Sequence, residues 1–206
     1  MAQDRGKPVA PPADLASRKL VLRILPKGLR GWRIHVASLG PCHFSKDPAG
    51  RFSSPSLPVL YLADADTTSL WEVYWDDLAT RPPDQRRIAG ATLDQRAVCR
   101  VTLQRDVPVF DATDGKSLRT VSAPTATFSG AYEVCQVWAA ALFAHPRRPE
   151  GIHYRSARSA SGACTALFAP RVACSDLRFG TSRRITQSKA LLLELERNDV
   201  KILADP

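Results

Sequence analysis

The sequence predicts an α+β domain, and three observations carry that expectation. Strand-like and helical runs are mixed along the chain, without the regular strand–helix–strand alternation of a doubly wound fold. A length of 206 residues with 44% hydrophobic side chains is enough for one domain with its own core. Neither a P-loop nor GxGxxG occurs, so no fingerprint supports a kinase, an NTPase or a Rossmann dehydrogenase.

Taken in order, residues 1–17 hold Pro8, Pro11 and Pro12 among small and charged residues and read as a flexible arm, with the folded domain spanning 18–206. KLVLRIL suits a strand or a short helix, and WRIHVA alternates as a strand does. The stretch from Ser38 to Pro58 is punctuated by Pro and Gly and reads as a loop. VLYLA, bounded by Pro58 and Asp64, predicts a short strand buried on both faces. Asp66 or Thr67 can cap the helix TTSLWEVYWDDLA, whose Leu70, Val73, Tyr74 and Leu78 fall at helical spacing with Glu72 beside that stripe.

AVCRVTLQRDVPVFDAT has strand patterning on both sides of Arg105-Asp106. TFSGAYEVCQVWAAALFAH is the clearest helix, expected to start near Ser129 or Gly130 and to end before Pro146. IHYRSA and CTALFAP read as strands separated by Ser161-Gly162, and ALLLELERNDVKILA as a helix turning at Asn198-Asp199 into a last strand. There is no internal repeat.

Composition narrows the functional classes. No apolar run approaches the ~18–20 residues that span a bilayer, and the N-terminus has no apolar h-region, so a cytoplasmic protein without a membrane role is expected. The 29 Lys+Arg against 20 Asp+Glu give a net charge of +9, which suits nucleic acid, an acidic partner or a small anion. Arg86-Arg87, Arg147-Arg148 and Arg183-Arg184 are scattered in expected loops, and that dispersal argues against direct nucleic-acid binding. Five cysteines with no CxxC spacing argue against a disulfide framework and a zinc site, leaving buried reduced thiols at Cys99, Cys135 and Cys164. The four histidines show no metal-ligand spacing such as HExxH, so no metal is expected.

The residues of chemical interest are Arg33, Arg51, Tyr61, Glu72 and Ser156. Guanidinium forks grip phosphate oxygens, so Arg33 at the start of a strand and Arg51 in a Gly-Arg-Phe turn can bind an anion, although most arginines here must be surface residues. Tyr61, in an aliphatic strand, can stack on a ring or simply pack in the core, where its phenol needs a partner. Glu72 is a cleft carboxylate or a solvated helical residue. Ser156 has no GxSxG context and reads as a hydrogen-bond donor rather than a nucleophile. Cys42-His43 can suggest a thiol hydrolase, but neighbours on an extended chain point apart.

Together, the Trp-Arg strand, the Gly-Arg-aromatic turn, VLYLAD, the helix bearing Glu72, AYEVCQVWA, GIHYRSAR and ALFAP resemble, in that order, the RES-domain family over roughly residues 30–204. Cys135 and Phe52 depart from the Thr and Trp common in that family. The resemblance implies a split β-sheet with flanking helices like that of ADP-ribosyltransferases. It further implies an NAD+-degrading toxin, a phosphorylase or glycohydrolase, with NAD+ as substrate, inorganic phosphate as a candidate co-substrate and no cofactor. Arg33 and Arg51 would hold the phosphates, Tyr61 and Glu72 would surround the nicotinamide ribose, and Ser156 would add a polar contact. Glu72 and Arg51 are the expected catalytic pair. An Xre-type antitoxin is the implied partner. ADP-ribosyl transfer to a protein is a second reading, weighed against by the aliphatic Leu70 two positions before Glu72. A non-catalytic dinucleotide-binding module is a third.

Overall fold

Two half-sheets meet along a seam one residue pair long in the computed structural model, which describes residues 9–204. The elements are β1 (Leu22–Leu25), β2 (Arg30–Val36), β3 (Val59–Ala63), α1 (Asp66–Leu78), β4 (Arg87–Ala89), α2 (Gly90–Asp94), β5 (Arg96–Leu103) and β6 (Val107–Asp111). They continue as α3 (Gly115–Thr120), α4 (Tyr132–Ala144), β7 (Gly151–Arg155), β8 (Ala163–Phe168), β9 (Leu177–Phe179), β10 (Arg183–Arg184), α5 (Lys189–Arg197) and β11 (Lys201–Leu203). The central sheet runs β1-β6-β7-β8-β3-β2-β5-β10, with β9 also on β5. Only β6 and β7 pair in parallel within it, and β11 lies parallel to β4 in a separate pair.

The α+β expectation is met, with helices flanking one mixed sheet. β2 pairs with β5 along its whole length, from Arg30 opposite Thr102 to Val36 opposite Arg96. β3 pairs as fully with β8, from Val59 opposite Phe168 to Ala63 opposite Cys164. Between β2 and β3 the register holds a single pair, Trp32 opposite Ala63. Beyond Trp32 the two strands diverge, and that divergence opens the cleft described below.

Three apolar clusters fix the halves. α4 lays Cys135, Trp138, Ala139 and Leu142 against Phe110, Phe128, Tyr154 and Phe168. α1 and α5 bury Leu70, Tyr74, Leu78, Leu191 and Leu195 against Ile34 and Val98. The opposite face of the sheet packs Leu60, Cys99, Val101, Val109 and Leu167. Phe52 is fully buried and meets Tyr154 edge-on with ring centroids 4.8 Å apart, so the loop that carries Arg51 is anchored in the core. Truncating a side chain so placed typically costs ~3–5 kcal/mol.

Several details differ from the sequence reading. The N-cap of α1 is Ala65; Asp66 is the first helical residue, where its carboxylate accepts the Thr67 N–H at 2.9 Å and favours the positive end of the helix. α4 begins at Tyr132, because a 3-10 turn over Thr125–Phe128 takes up the residues before it. Of the arm expected over 1–17, residues 1–8 lie outside the described residues. Residues 9–17, however, are docked on α4: Trp138 Nε1 donates to Val9 O at 2.6 Å, His145 Nε2 donates to Leu15 O at 3.1 Å, and Leu15 is buried. A buried indole N–H requires an acceptor, and the arm's backbone supplies it.

The cysteine reading also needs correction. Cys42 and Cys174 form a disulfide with their Cα atoms 5.8 Å apart, joining the loop after β2 to the turn before β9. Their separation of 132 residues and the lack of a local spacing motif hid the pair. Cys99, Cys135 and Cys164 are free and buried, as expected. No described helix is long and apolar enough to cross a membrane.

Candidate active site

Where β2 and β3 splay apart, the gap becomes a cleft of about 690 Å³, lined by Arg33, Arg51, Tyr61, Glu72 and Tyr132 among others. That volume suits a small-molecule ligand. Arg33 lies on β2 at the mouth of the divergence and bridges it. Its Nη1 donates to Tyr61 O at 3.2 Å, and its Nη2 donates to His43 O at 2.6 Å. The guanidinium thus replaces the strand pairing that β2 and β3 lack. Burial pulls its pKa down to about 10, which still leaves it charged at neutral pH. Its Nε is buried without a partner among the described residues.

Arg51 reaches the same cleft from the loop after β2. Its Nη1 donates to Gly130 O at 3.1 Å, and the guanidinium lies 4.8 Å from the centre of the Tyr132 ring. Burial opposes its charge, but Tyr154, Tyr132 and Glu72 more than offset that and hold the pKa above the ordinary value. The turn before it needs glycine, because a Cβ on Gly50 would collide with Ser53 Oγ and stand 3.1 Å from the Tyr61 hydroxyl. Tyr61 explains that crowding. Its phenolic oxygen accepts the N–H groups of Phe52 at 2.9 Å and Ser53 at 3.1 Å, pinning the loop to β3 while the residue lines the cleft. Burial raises the Tyr61 pKa, so the phenol stays neutral.

Glu72 projects from the exposed side of the α1 core stripe into the cleft. Ser156, just past β7, donates its hydroxyl to Glu72 Oε1 at 2.5 Å. Ser156 Oγ in turn accepts the N–H groups of Arg158 and Ser159, each at 3.0 Å. The hydroxyl is therefore oriented by two backbone donors with its proton directed at the carboxylate. Ser156 stands behind Glu72 and does not itself line the cleft.

Four of the five residues singled out in the sequence thus converge on one cleft, and the fifth orients one of them. Others were not singled out. Tyr132 lies under the Arg51 guanidinium, and Gln136 Nε2 donates to Pro48 O at 2.6 Å and Gly50 O at 2.8 Å, holding the loop from the α4 side. Both sit in AYEVCQVWA, where spacing of four along a helix was the available signal. Lys46 and Arg96 add further cations to the lining. His35 lies next to them, its Nδ1 3.0 Å from Val36 O and its Nε2 3.0 Å from Ser182 Oγ. Burial lowers its pKa, and the nearby Arg33 adds to the effect, which favours the neutral ring.

Such a site can bind a multiply anionic ligand and set one oriented carboxylate against a reacting centre. The family model described as RES domain matches residues 30–184, three-quarters of the chain and every residue named above as lining the cleft. The chain belongs to the RES-domain family. Among solved structures it is similar to a chain of the M. tuberculosis MbcT–MbcA toxin–antitoxin complex, with a TM-score of 0.63 and 18% identity over 84% of this chain and 90% of that one. No curated protein sequence matches it. The matched region therefore holds every strand of the central sheet except β1, together with the seam, and the cleft at that seam lies wholly inside it.

Proposed function

We propose that this RES domain binds NAD+ in the cleft and breaks the bond between nicotinamide and ribose. The observation that carries the reading is the Glu72 carboxylate, held by Ser156 at 2.5 Å, in a cleft that also presents two buried guanidinium groups. Arg51, with help from Lys46 and Arg96, would hold the pyrophosphate, and Tyr61 and Tyr132 would offer apolar ring surface to the nicotinamide end. Arg33 uses both terminal nitrogens on backbone carbonyls, so it would supply positive potential more than a free fork.

As the C1′–N bond breaks, its electron pair passes to the pyridinium nitrogen and nicotinamide leaves neutral. Positive charge grows on C1′ and the ring oxygen of the ribose. A fixed carboxylate facing that charge lowers the barrier electrostatically, and no strong general acid is needed. An oxygen of phosphate, or a water molecule that then loses a proton, completes the bond to C1′. The two acceptors correspond to the phosphorylase and glycohydrolase forms of the reaction.

Transfer to a protein is less well supported. The residue two before Glu72, Leu70, is fully buried in the core under α1, so a second carboxylate has no place there. The similar toxin was solved in a toxin–antitoxin complex, which supports reading this chain as a toxin with a neutralising partner, an Xre-type protein on the family resemblance. Chromatography of NAD+ incubated with pure protein, with and without phosphate, tests the reading. Free nicotinamide is the expected product; intact NAD+ under both conditions would contradict it.

A further inference from the structure

Arginines that look dispersed in the sequence are brought together by the sheet register. Arg30 on β2 and Arg178 on β9 both stand opposite Thr102 of β5, one on each side. Two residues along β5 is Arg100, opposite Trp32, and two further is Val98, opposite Arg183 of β10. Directly paired residues, and residues two apart on one strand, share a face of the sheet. Four guanidinium groups from four strands therefore form one stripe about 14 Å long.

The stripe borders two adjoining depressions of about 610 and 250 Å³, with Lys189 at the start of α5 on the far wall. Neither shares a lining residue with the cleft at the seam. Arg30, Arg100, Arg178, Arg183 and Lys189 are exposed, and none has a carboxylate partner among the described residues. Asp66 is the acid lining these depressions, and it already accepts the Thr67 N–H. By contrast, Arg105 is neutralised by Glu150 and Asp176 at 2.6 and 3.1 Å. Five unpaired like charges on one face repel each other, and a polyanion laid along them would relieve that repulsion.

We propose that this stripe binds single-stranded nucleic acid. Guanidinium forks match phosphate oxygens, and their linear arrangement suits a chain that carries a charge at every link. The Arg100 guanidinium lies over the half-buried Trp32 ring, 4.9 Å from its centre, and forms a cationic–aromatic platform in the middle of the stripe. An unpaired base can stack on such a platform, whereas bases paired inside a duplex cannot reach it. An acidic peptide would satisfy the charges and leave that platform unused. The surface is independent of the NAD+ reading, since it uses other residues.

Fluorescence anisotropy with labelled thymidine and uridine oligonucleotides of about 20 residues tests the proposal, with a duplex and polyglutamate as comparisons. Single strands of DNA, RNA or both are expected to bind, more tightly than duplex or polyglutamate, and to weaken steeply as salt rises. A triple variant, Arg30→Gln with Arg100→Gln and Arg178→Gln, is expected to lose roughly tenfold or more in affinity and about two units of the logarithmic salt slope. Its unfolding temperature should stay close to that of the parent, because all three side chains are exposed. Absence of oligonucleotide binding at low salt, or equal binding by parent and folded variant, would overturn the proposal. So would tighter binding of duplex, or of polyglutamate, which would assign the surface to another kind of partner.

Discussion

Ser156 and Glu72, 84 residues apart in sequence, are joined by a 2.5 Å hydrogen bond from hydroxyl to carboxylate. The bond links the end of β7 to α1 and fixes the carboxylate that faces the cleft. Because Ser156 stands behind Glu72, its effect on the reaction would run through Glu72.

Ser156→Ala is therefore expected to lower the rate of NAD+ cleavage by roughly tenfold or more, in line with the loss of one charge-assisted hydrogen bond. Most of the loss should fall on kcat, with KM little changed. Steady-state kinetics of the pure variant checks this. A change confined to KM would mean that Ser156 contacts the substrate instead.

Arg33 and Arg51 are expected to respond differently to lysine. Arg33→Lys removes a fork that bridges Tyr61 O and His43 O across the seam, so both the unfolding temperature and NAD+ affinity should fall. Arg51→Lys gives up one bond to Gly130 O and the stack on Tyr132, so affinity should fall with a smaller loss of stability. Calorimetric titration and thermal unfolding of both variants separate the two effects. Identical profiles for the two would contradict the bridging role of Arg33.

Stability should also depend on pH in the histidine range. Burial lowers the pKa of His35 and of His153 below the ordinary 6.5. The unfolded chain therefore takes up protons there before the folded one does. The contribution from keeping both rings neutral is fully present above about pH 7 and declines as pH falls below about 6.5 toward the folded values. Urea unfolding at about pH 7.5 and about pH 5.5 should show lower stability at the acid end, above the range where carboxylates titrate. Combining His35→Gln with His153→Gln should flatten that difference.

Much of the architecture was legible because local patterning decides it. The alternation in WRIHVA, the apolar run VLYLA and the helical spacing of Leu70, Tyr74 and Leu78 each reappear as the expected element. Arg33, Arg51, Tyr61 and Glu72 were found because they sit in short motifs in a fixed order. What escaped depends on contacts between distant segments. The single-pair seam between β2 and β3 is a matter of register, which no local pattern encodes. The Cys42–Cys174 bridge and the docking of Val9 on Trp138 join residues more than a hundred positions apart. The basic stripe was read as dispersal for the same reason: Arg30, Arg100, Arg178 and Arg183 are neighbours only in the folded sheet.

The most direct test of the proposed chemistry is the rate of nicotinamide release by the Glu72→Gln variant, compared with the parent at saturating NAD+. Glutamine keeps the shape and can still accept the Ser156 hydroxyl, so the fold should survive and circular dichroism should be unchanged. It lacks the negative charge that would face the forming cation, an effect on the order of 3 kcal/mol, or roughly a hundredfold in rate. A folded variant that has lost most of its activity is the expected result. A folded variant that releases nicotinamide as fast as the parent would show that Glu72 is not the group that stabilises the reacting ribose.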